Sequence, residues 1–374
     1  MAYDILYEAC PWHRRVALLD NGRLRNIHYD DVLRPLLEGA VVLGRVRQIA
    51  EGLGAAFVDV GYTVDGFLPL NTVPKEVGKL HEGMALMVRV TRSPVEDKGP
   101  RLDAHVLTRK PENPEKIPCL VRPAPNALQR TLMDAVDVPV KVWVNDLTYV
   151  NEIEEFIPRD KIGLLSDTAA PHLHAKLDDQ LARAAGPVFE IPGGGRLTVE
   201  VTRALTAIDV DAGSLVNQKG ITALEINKLA ATEIARLCMM QEMGGSIIID
   251  FISLKDPVQR EALQKHFEQA LSMDMTQPRI LKMSKFGLVE MNRRRTGVDL
   301  MTRLKWPMYV AGEILLKLWR VKNFKGKIKI EACPDVADIL RQRLTHDAAL
   351  MHLGQEVEVV ANLGFADDKY ALSY

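Results

Sequence analysis

The chain has 374 residues, with Lys+Arg 48 against Asp+Glu 49 for a formal net charge of -1. Hydrophobic residues make up 47% and charged residues 26%, which excludes global disorder and fibrous repeats and leaves chain for two or three domains with real cores. No apolar run approaches the ~18 residues of a membrane span, the first residues lack a signal-peptide core, and the four cysteines contain no C-x-x-C pair; a membrane protein, a disulfide scaffold and a cysteine-based zinc site are not expected, and the expected compartment is the cytoplasm.

The chain opens as β structure. RVALL and RLRNIHY flank Asp20-Asn21-Gly22, whose Asn-Gly step supplies the positive φ angles of a tight hairpin. From Gly39 to Arg109 five short strands follow, in AVVLGRVRQIA, GAAFVDVG, DGFLPL, ALMVRVTRS and RLDAHVLT, and they suit a small closed barrel of the OB type. Phe57 and Phe67 lie in two of these strands beside Arg45, Arg47 and Lys98. Aromatic rings on such a barrel are stacking platforms for bases, whereas a strand Phe also serves as core, and the pattern leaves both readings open. Residues 109–124 carry four prolines and alternating charges, and read as a linker or crossover.

From about Asn126 the texture turns to mixed α/β. NALQRTLMDAV, LTYVNEIEEFI and HLHAKLDDQLARAA read as helices and PVKVWVND as a strand. IPGGGRLTVEVTRALTAIDVDAG gives a turn and two strands, and TALEINKLAATEIARLCMMQE a long helix with Gly244-Gly245 as its stop signal. SIIIDFISL is a buried strand, and DPVQREALQKHFEQALSMD a helix with Asp256 as N-cap and Pro257 in the first turn. RILKMS and FGLVEMNRR are two more strands. The tail alternates helix and strand (AGEILLKLW, KGKIKIEA, VADILRQRLTH, EVEVVAN, KYALSY), enough for a small α+β unit.

Two aspartates share one local grammar: Asp209 ends the apolar strand LTAID and Asp250 ends SIIID. An unpaired carboxylate at the end of a buried strand is costly, because desolvation disfavours its charged form. A divalent cation resolves this, since Mg2+ accepts one or two protein carboxylates and completes its shell with water and phosphate oxygens. Asp211, one strand period beyond Asp209, is a candidate third oxygen ligand. The competing reading, that each aspartate caps a following loop or helix, stays open on the residues alone. The near-neutral net charge hides an asymmetry: residues 276–330 hold fourteen Lys and Arg against three acids, a net +11, which leaves -12 for the remainder. Such a segment suits a polyanion partner, or a solvated basic face.

Taken together, AAFVDVG…DGFLPL, ALTAIDVDAG, EINKLAATEIARL, GGSIIIDFISL and FGLVEMNRRR resemble, in order and approximate spacing, the ribonuclease E/G family over essentially the whole chain. The resemblance implies an α+β multidomain fold. An OB-fold RNA-binding barrel (38–108) is inserted in an RNase H-like subdomain (1–37 and 125–184), with 109–124 as a linker. A DNase I-like catalytic subdomain (185–305) and a small α+β C-terminal domain (306–374) follow. It also implies Mg2+-dependent endonucleolytic cleavage of single-stranded RNA, leaving 5′-phosphate and 3′-hydroxyl ends. Asp209 and Asp250 match the family's metal aspartates. Asp211 stands where the family usually has an assisting Asn. Phe57, Phe67 and Lys98 match residues that contact RNA from the barrel, and Arg293 and Arg295 fall in its E-M-x-R-x-R segment.

The departures are equally specific. Only 109–124 fills the place of the family's 5′-sensor domain, and no Arg-Thr-Ala-Gly segment occurs, so 5′-end sensing is not expected. MTRLKWPMYVAGE lacks the C-P-x-C zinc link, so a zinc-linked assembly is not expected while a homodimer stays open. Arg203 replaces the Glu of T-E-A-L, a charge reversal expected near the metal site. These departures motivate an alternative: a catalytically weak RNA-binding or ribosome-associated factor derived from the same family. A small-molecule enzyme finds no support, because GGG at 193–195 precedes a strand rather than opening a helix.

Overall fold

The computed structural model describes residues 3–32, 38–92, 99–106, 111, 114–136, 138–165, 173–218, 220–295, 298–321, 326–344 and 356–373. The chain divides into two compact units, Asp30–Met133 and Met1–Tyr29 with Asp134–Tyr374. The first strands are β1 (Tyr3–Cys10), β2 (His13–Asp20) and β3 (Arg23–Asp31). Asn21 (φ 50°) and Gly22 (φ 76°) make the β2–β3 turn with the positive angles that the Asn-Gly step supplies.

Within the Asp30–Met133 unit, β4 (Val41–Ala50), β5 (Ala55–Asp59), β6 (Gly66–Pro69), β7 (Ala85–Arg92) and β8 (Arg101–Asp103) close a five-stranded barrel. β4 pairs with both β5 and β7, and β6 and β8 complete the ring. Alternation along the strands turns Val46, Val58, Leu68, Val88 and Leu102 inward as one core. The segment expected to be a linker contains a further strand, β9 (Cys119–Arg122), antiparallel to β4 over Val41–Leu43. The cause lies in β4, whose second half pairs with β5 and whose first half leaves that edge for another partner. The unit is also wider than 38–108: Asp30 accepts hydrogen bonds from the Ala127 N–H (2.6 Å) and Arg130 (3.0 Å) at the start of α1 (Ala127–Asp134), joining the two ends of the segment.

The other unit contains three sheets. β10 (Val140–Val144), α2 (Val150–Glu154), β11 (Ile162–Leu164) and α3 (Leu173–Ala184) follow α1, and the first sheet has the order β11-β10-β1-β2-β3, with β1 and β10 parallel. The second sheet is built from β12 (Val188–Ile191), β13 (Gly195–Val201), β14 (Leu205–Asp211), β15 (Gly245–Asp250), β16 (Arg279–Ile280) and β17 (Leu288–Arg293), in the order β12-β13-β14-β15-β17-β16. Only β14 and β15 run parallel, joined by α4 (Ala223–Met240); α5 (Pro257–Ala270) connects β15 onward. Thr222 and Glu225 form a capping box at the start of α4, and Asp256 caps α5 by accepting the Val258 N–H. Ile208, Val210, Ile247, Ile249, Val289 and Met291 face α4 and α5 in one core. The opposite face of this sheet carries the polar residues, as period-two alternation requires.

The expected stop signal of α4 is displaced. The helix ends at Met240, and Glu242 (φ 53°) takes the left-handed position. Gly244 and Gly245 serve a different contact: a Cβ on Gly244 would lie 2.7 Å from the Arg295 backbone, and one on Gly245 2.8 Å from the Arg295 guanidinium. After α6 (Leu300–Arg303), a third sheet of order β19-β18-β20 is made by β18 (Lys327–Ala332), β19 (Glu356–Ala361) and β20 (Tyr370–Ser373). It packs with α7 (Pro307–Arg320) and α8 (Pro334–Leu344) over a core that includes Ile314, Leu318, Ile328, Ile330 and Leu340. No described helix is long and apolar enough to cross a membrane.

Candidate active site

Asp209 and Asp250 are register partners on the parallel strands β14 and β15. Neighbouring strands lie about 4.8 Å apart and register partners project to one face, so the two carboxylates stand side by side. Both are solvent-exposed, on the face opposite the α4–α5 core. Thr198 on β13 lies across from Asp209, and Leu288 on β17 across from Asp250. Among the described residues no ion pair joins either aspartate to a cation.

The exit of β15 is fixed from below. Asn227, fully buried on α4, donates Nδ2 to the Ile252 carbonyl (2.7 Å) and accepts the Ile252 N–H (3.1 Å). This amide holds the backbone two residues beyond Asp250. Sequence reasoning gave Asn227 no role, although a polar residue between Ile226 and Ala230 on the apolar side of a helix was a readable signal.

Asp211 lies on β14 two residues beyond Asp209, as expected, but it has another partner. Arg196 on β13 donates to its carboxylate at 2.7 Å and the Gly213 N–H at 2.8 Å. The Arg196 hydrogen bond, with that from Gly213, holds the Asp211 carboxyl below the usual carboxylate range. Arg203 is not near the pair. It sits in the turn before Leu205, and Leu205 alone is four residues, about 13 Å of strand, from Asp209. The expected proximity came from the family resemblance, and the extended strand between the two positions separates them.

The pair offers hard carboxylate oxygens. Two adjacent like charges repel unless a cation or proton is shared between them. Hard carboxylate oxygens suit Mg2+, which needs only one or two of them. No group of three or more His, Cys, Asp or Glu able to hold a metal occurs among the described residues.

The basic window divides into two populations. Arg293, expected to contact RNA, is buried: it forms an ion pair with Asp274 (2.7 Å) and donates to the Met243 carbonyl (2.8 Å). It shares strand parity with Val289 and Met291 and therefore points to the core side of β17. Arg303 pairs with Glu242, Arg320 with Glu8 and Asp178, and Lys327 with Glu358. Arg279, Lys282, Lys285, Arg294, Arg295 and Lys305 are exposed. Arg295 lies over Gly244–Gly245, beside the start of β15.

On the barrel, Phe57 and Phe67 are register partners on β5 and β6, edge-to-face with ring centroids 6.1 Å apart. Both are half-buried and neither belongs to the barrel core. The Arg101 guanidinium lies 6.0 Å from the Phe67 ring centroid, a contact created by the parallel pairing of β6 with β8. Sequence order alone does not disclose that pairing. Arg47 and Arg89 flank the surface but are paired with Asp59 and Asp103. Lys98 lies outside the described residues.

Comparison with known proteins adds an independent finding. The profile of the ribonuclease E/G family matches residues 75–296, a span that includes Asp209, Asp211 and Asp250. Ribonuclease G of Escherichia coli is 25% identical over an alignment of 473 positions, covering 96% of this chain and 97% of the relative. Ribonuclease E of Nostoc sp. is 29% identical over 236 residues, 58% of this chain and 34% of its own length. Ribonuclease E of Haemophilus influenzae is 25% identical over 381 residues, 76% of this chain and 41% of its own.

Proposed function

The chain belongs to the ribonuclease E/G family, and from that premise we propose that it is a Mg2+-dependent endoribonuclease that cuts single-stranded RNA and leaves 5′-phosphate and 3′-hydroxyl ends. The observation that carries this reading is the in-register pair Asp209–Asp250, two exposed carboxylates held side by side on parallel strands. A bound Mg2+ supplies a more acidic water and neutralises charge that builds on the scissile phosphate. Asp209 and Asp250 would hold it, while Asn227 fixes the backbone beyond Asp250. Asp211 remains on Arg196 and acts as an electrostatic neighbour. Arg295 contacts phosphate, and the Phe57–Phe67 pair with Arg101 stacks bases. In this reading the second sheet with α4 and α5 is the DNase I-like catalytic subdomain, and the first sheet is the RNase H-like part.

The enzyme does not sense the RNA 5′ end. The alignment with the Escherichia coli relative has 473 positions, more than the 374 residues of the whole chain, so the relative carries segments with no counterpart here. Incubation with an AU-rich single-stranded oligonucleotide and Mg2+ tests the proposal. Internal cleavage at similar rates for 5′-monophosphate and 5′-hydroxyl substrates is expected. An absence of cleavage contradicts the nuclease, and a strong preference for the 5′-monophosphate contradicts the loss of sensing.

The alternative, a catalytically weak RNA-binding or ribosome-associated factor, is favoured by one observation, the engagement of Asp211 by Arg196. Arg203 no longer supports it, being remote from the pair. Salt-sensitive RNA binding without Mg2+-dependent products would select that alternative.

A further inference from the structure

We propose that Phe286 is a nucleobase-stacking site on the β16–β17 turn, where it holds a base of single-stranded RNA beside the Asp209–Asp250 pair. This rests on the endoribonuclease reading and adds a binding residue to it. Phe286 is 84% exposed, among the most exposed large apolar side chains described. An isolated exposed apolar residue is ordinary, so the argument lies in how this one is held and what surrounds it.

The turn is rigid. Ser284 Oγ accepts the N–H groups of both Phe286 and Leu288 (3.2 Å each). The Ser284 N–H donates to the Leu288 carbonyl (2.8 Å), and the Gly287 N–H to the Ser284 carbonyl (3.2 Å). Gly287 adopts φ +94°, and a Cβ there would lie 2.9 Å from the Phe251 carbonyl oxygen. The turn is therefore pressed against the residue that follows Asp250. A ring displayed on such a turn loses little freedom when it binds.

Position and charge specify the occupant. Leu288 is the register partner of Asp250. Phe286 precedes it by two residues, at most about 7 Å of chain. Lys282 and Lys285 on the same turn are exposed cations suited to phosphate, and Arg279 is exposed at the start of β16. An exposed aromatic ring flanked by cations next to a carboxylate pair fits a single strand whose backbone approaches the aspartates while an unstacked base lies on the ring.

The test uses the full chain in EDTA, where binding is read without turnover. Single-stranded oligonucleotides carry 2-aminopurine at each position in turn, and its quenching reports stacking. The wild type should quench one position that the Phe57→Ala/Phe67→Ala variant still quenches. Phe286→Ala should lose that quenching and bind roughly 5- to 150-fold more weakly. Phe286→Tyr should retain both signals, whereas Phe286→Leu, which keeps apolar area without a π face, should behave like Phe286→Ala. Unchanged thermal midpoints across the series are expected for so exposed a position. Wild-type quenching and affinity in Phe286→Ala overturn the stacking site alone. A wild type that binds no RNA overturns the endoribonuclease reading beneath it.

Discussion

Arg293 and Arg295 lie two residues apart in one motif and have different environments. Arg293 occupies a core position of β17, where its guanidinium is paired with Asp274 and the Met243 carbonyl. Arg293→Ala leaves that carboxylate uncompensated and should reduce stability by about 3–5 kcal/mol in chemical denaturation. Arg295→Ala should change stability by no more than about 0.5 kcal/mol. It should weaken RNA binding and lower the salt slope by about 0.7, the loss of one phosphate contact. Acid titration separates the pair further. Burial raises the Asp274 carboxyl, but hydrogen bonds from Arg293 and Thr276 outweigh it and leave the folded value below the ordinary one. Its contribution is therefore complete above about pH 4, near the unfolded value, and is lost as pH falls through the folded value. Denaturation between about pH 2 and 6 should show an acid limb that Arg293→Ala flattens. The alternation Val289-x-Met291-x-Arg293 was visible in the sequence and places Arg293 on the buried side. Its partner was not, because Asp274 lies in a loop nineteen residues earlier.

At the level of elements, the sequence disclosed local features and concealed pairings. The Asn21-Gly22 hairpin and the Asp256–Pro257 helix start were legible because neighbouring residues determine them. That Asp250 ends an apolar strand and that Asp209 lies toward the end of another was legible too, although β14 runs two residues past Asp209 to Asp211. Their shared register was not, since it depends on a parallel crossover through α4. Strand β9 was hidden among prolines, and β16 is only two residues long. The Gly244–Gly245 pair shows how one residue type can carry a different instruction from the expected one. Gly245→Ala must place a Cβ at φ +95° against the Arg295 guanidinium. A loss of about 1–3 kcal/mol is expected, with weaker RNA binding because Arg295 is displaced. Asn227→Ala leaves the Ile252 backbone groups without their partner and should cost about 1–3 kcal/mol. It should also lower kcat more than it raises KM, which a purely structural residue away from the site would not do.

For the whole molecule, the neutral balance of charge conceals how the charges are used. Part of the +11 segment contributes to the interior: Arg320 joins Arg15, Glu8, Asp178 and Glu313 in a network linking α7 to β1, β2 and α3. Arg15 is fully buried, so removal of one member leaves others uncompensated, and such networks constrain how elements dock. The remaining exposed cations on and after the second sheet form the smaller set available to RNA. The family relationship and the closed barrel agree with what the residues led us to expect, while the structure supplied which arginines face solvent and which aspartates meet. The most direct test compares RNA cleavage in Mg2+ by the wild type, Asp209→Asn, Asp250→Asn and Asp211→Asn, with RNA binding in EDTA as the control. Loss of at least about a hundredfold in rate is expected for Asp209→Asn and for Asp250→Asn, with binding retained, and a much smaller loss for Asp211→Asn. Wild-type cleavage by either of the first two variants would contradict a metal site built on their register.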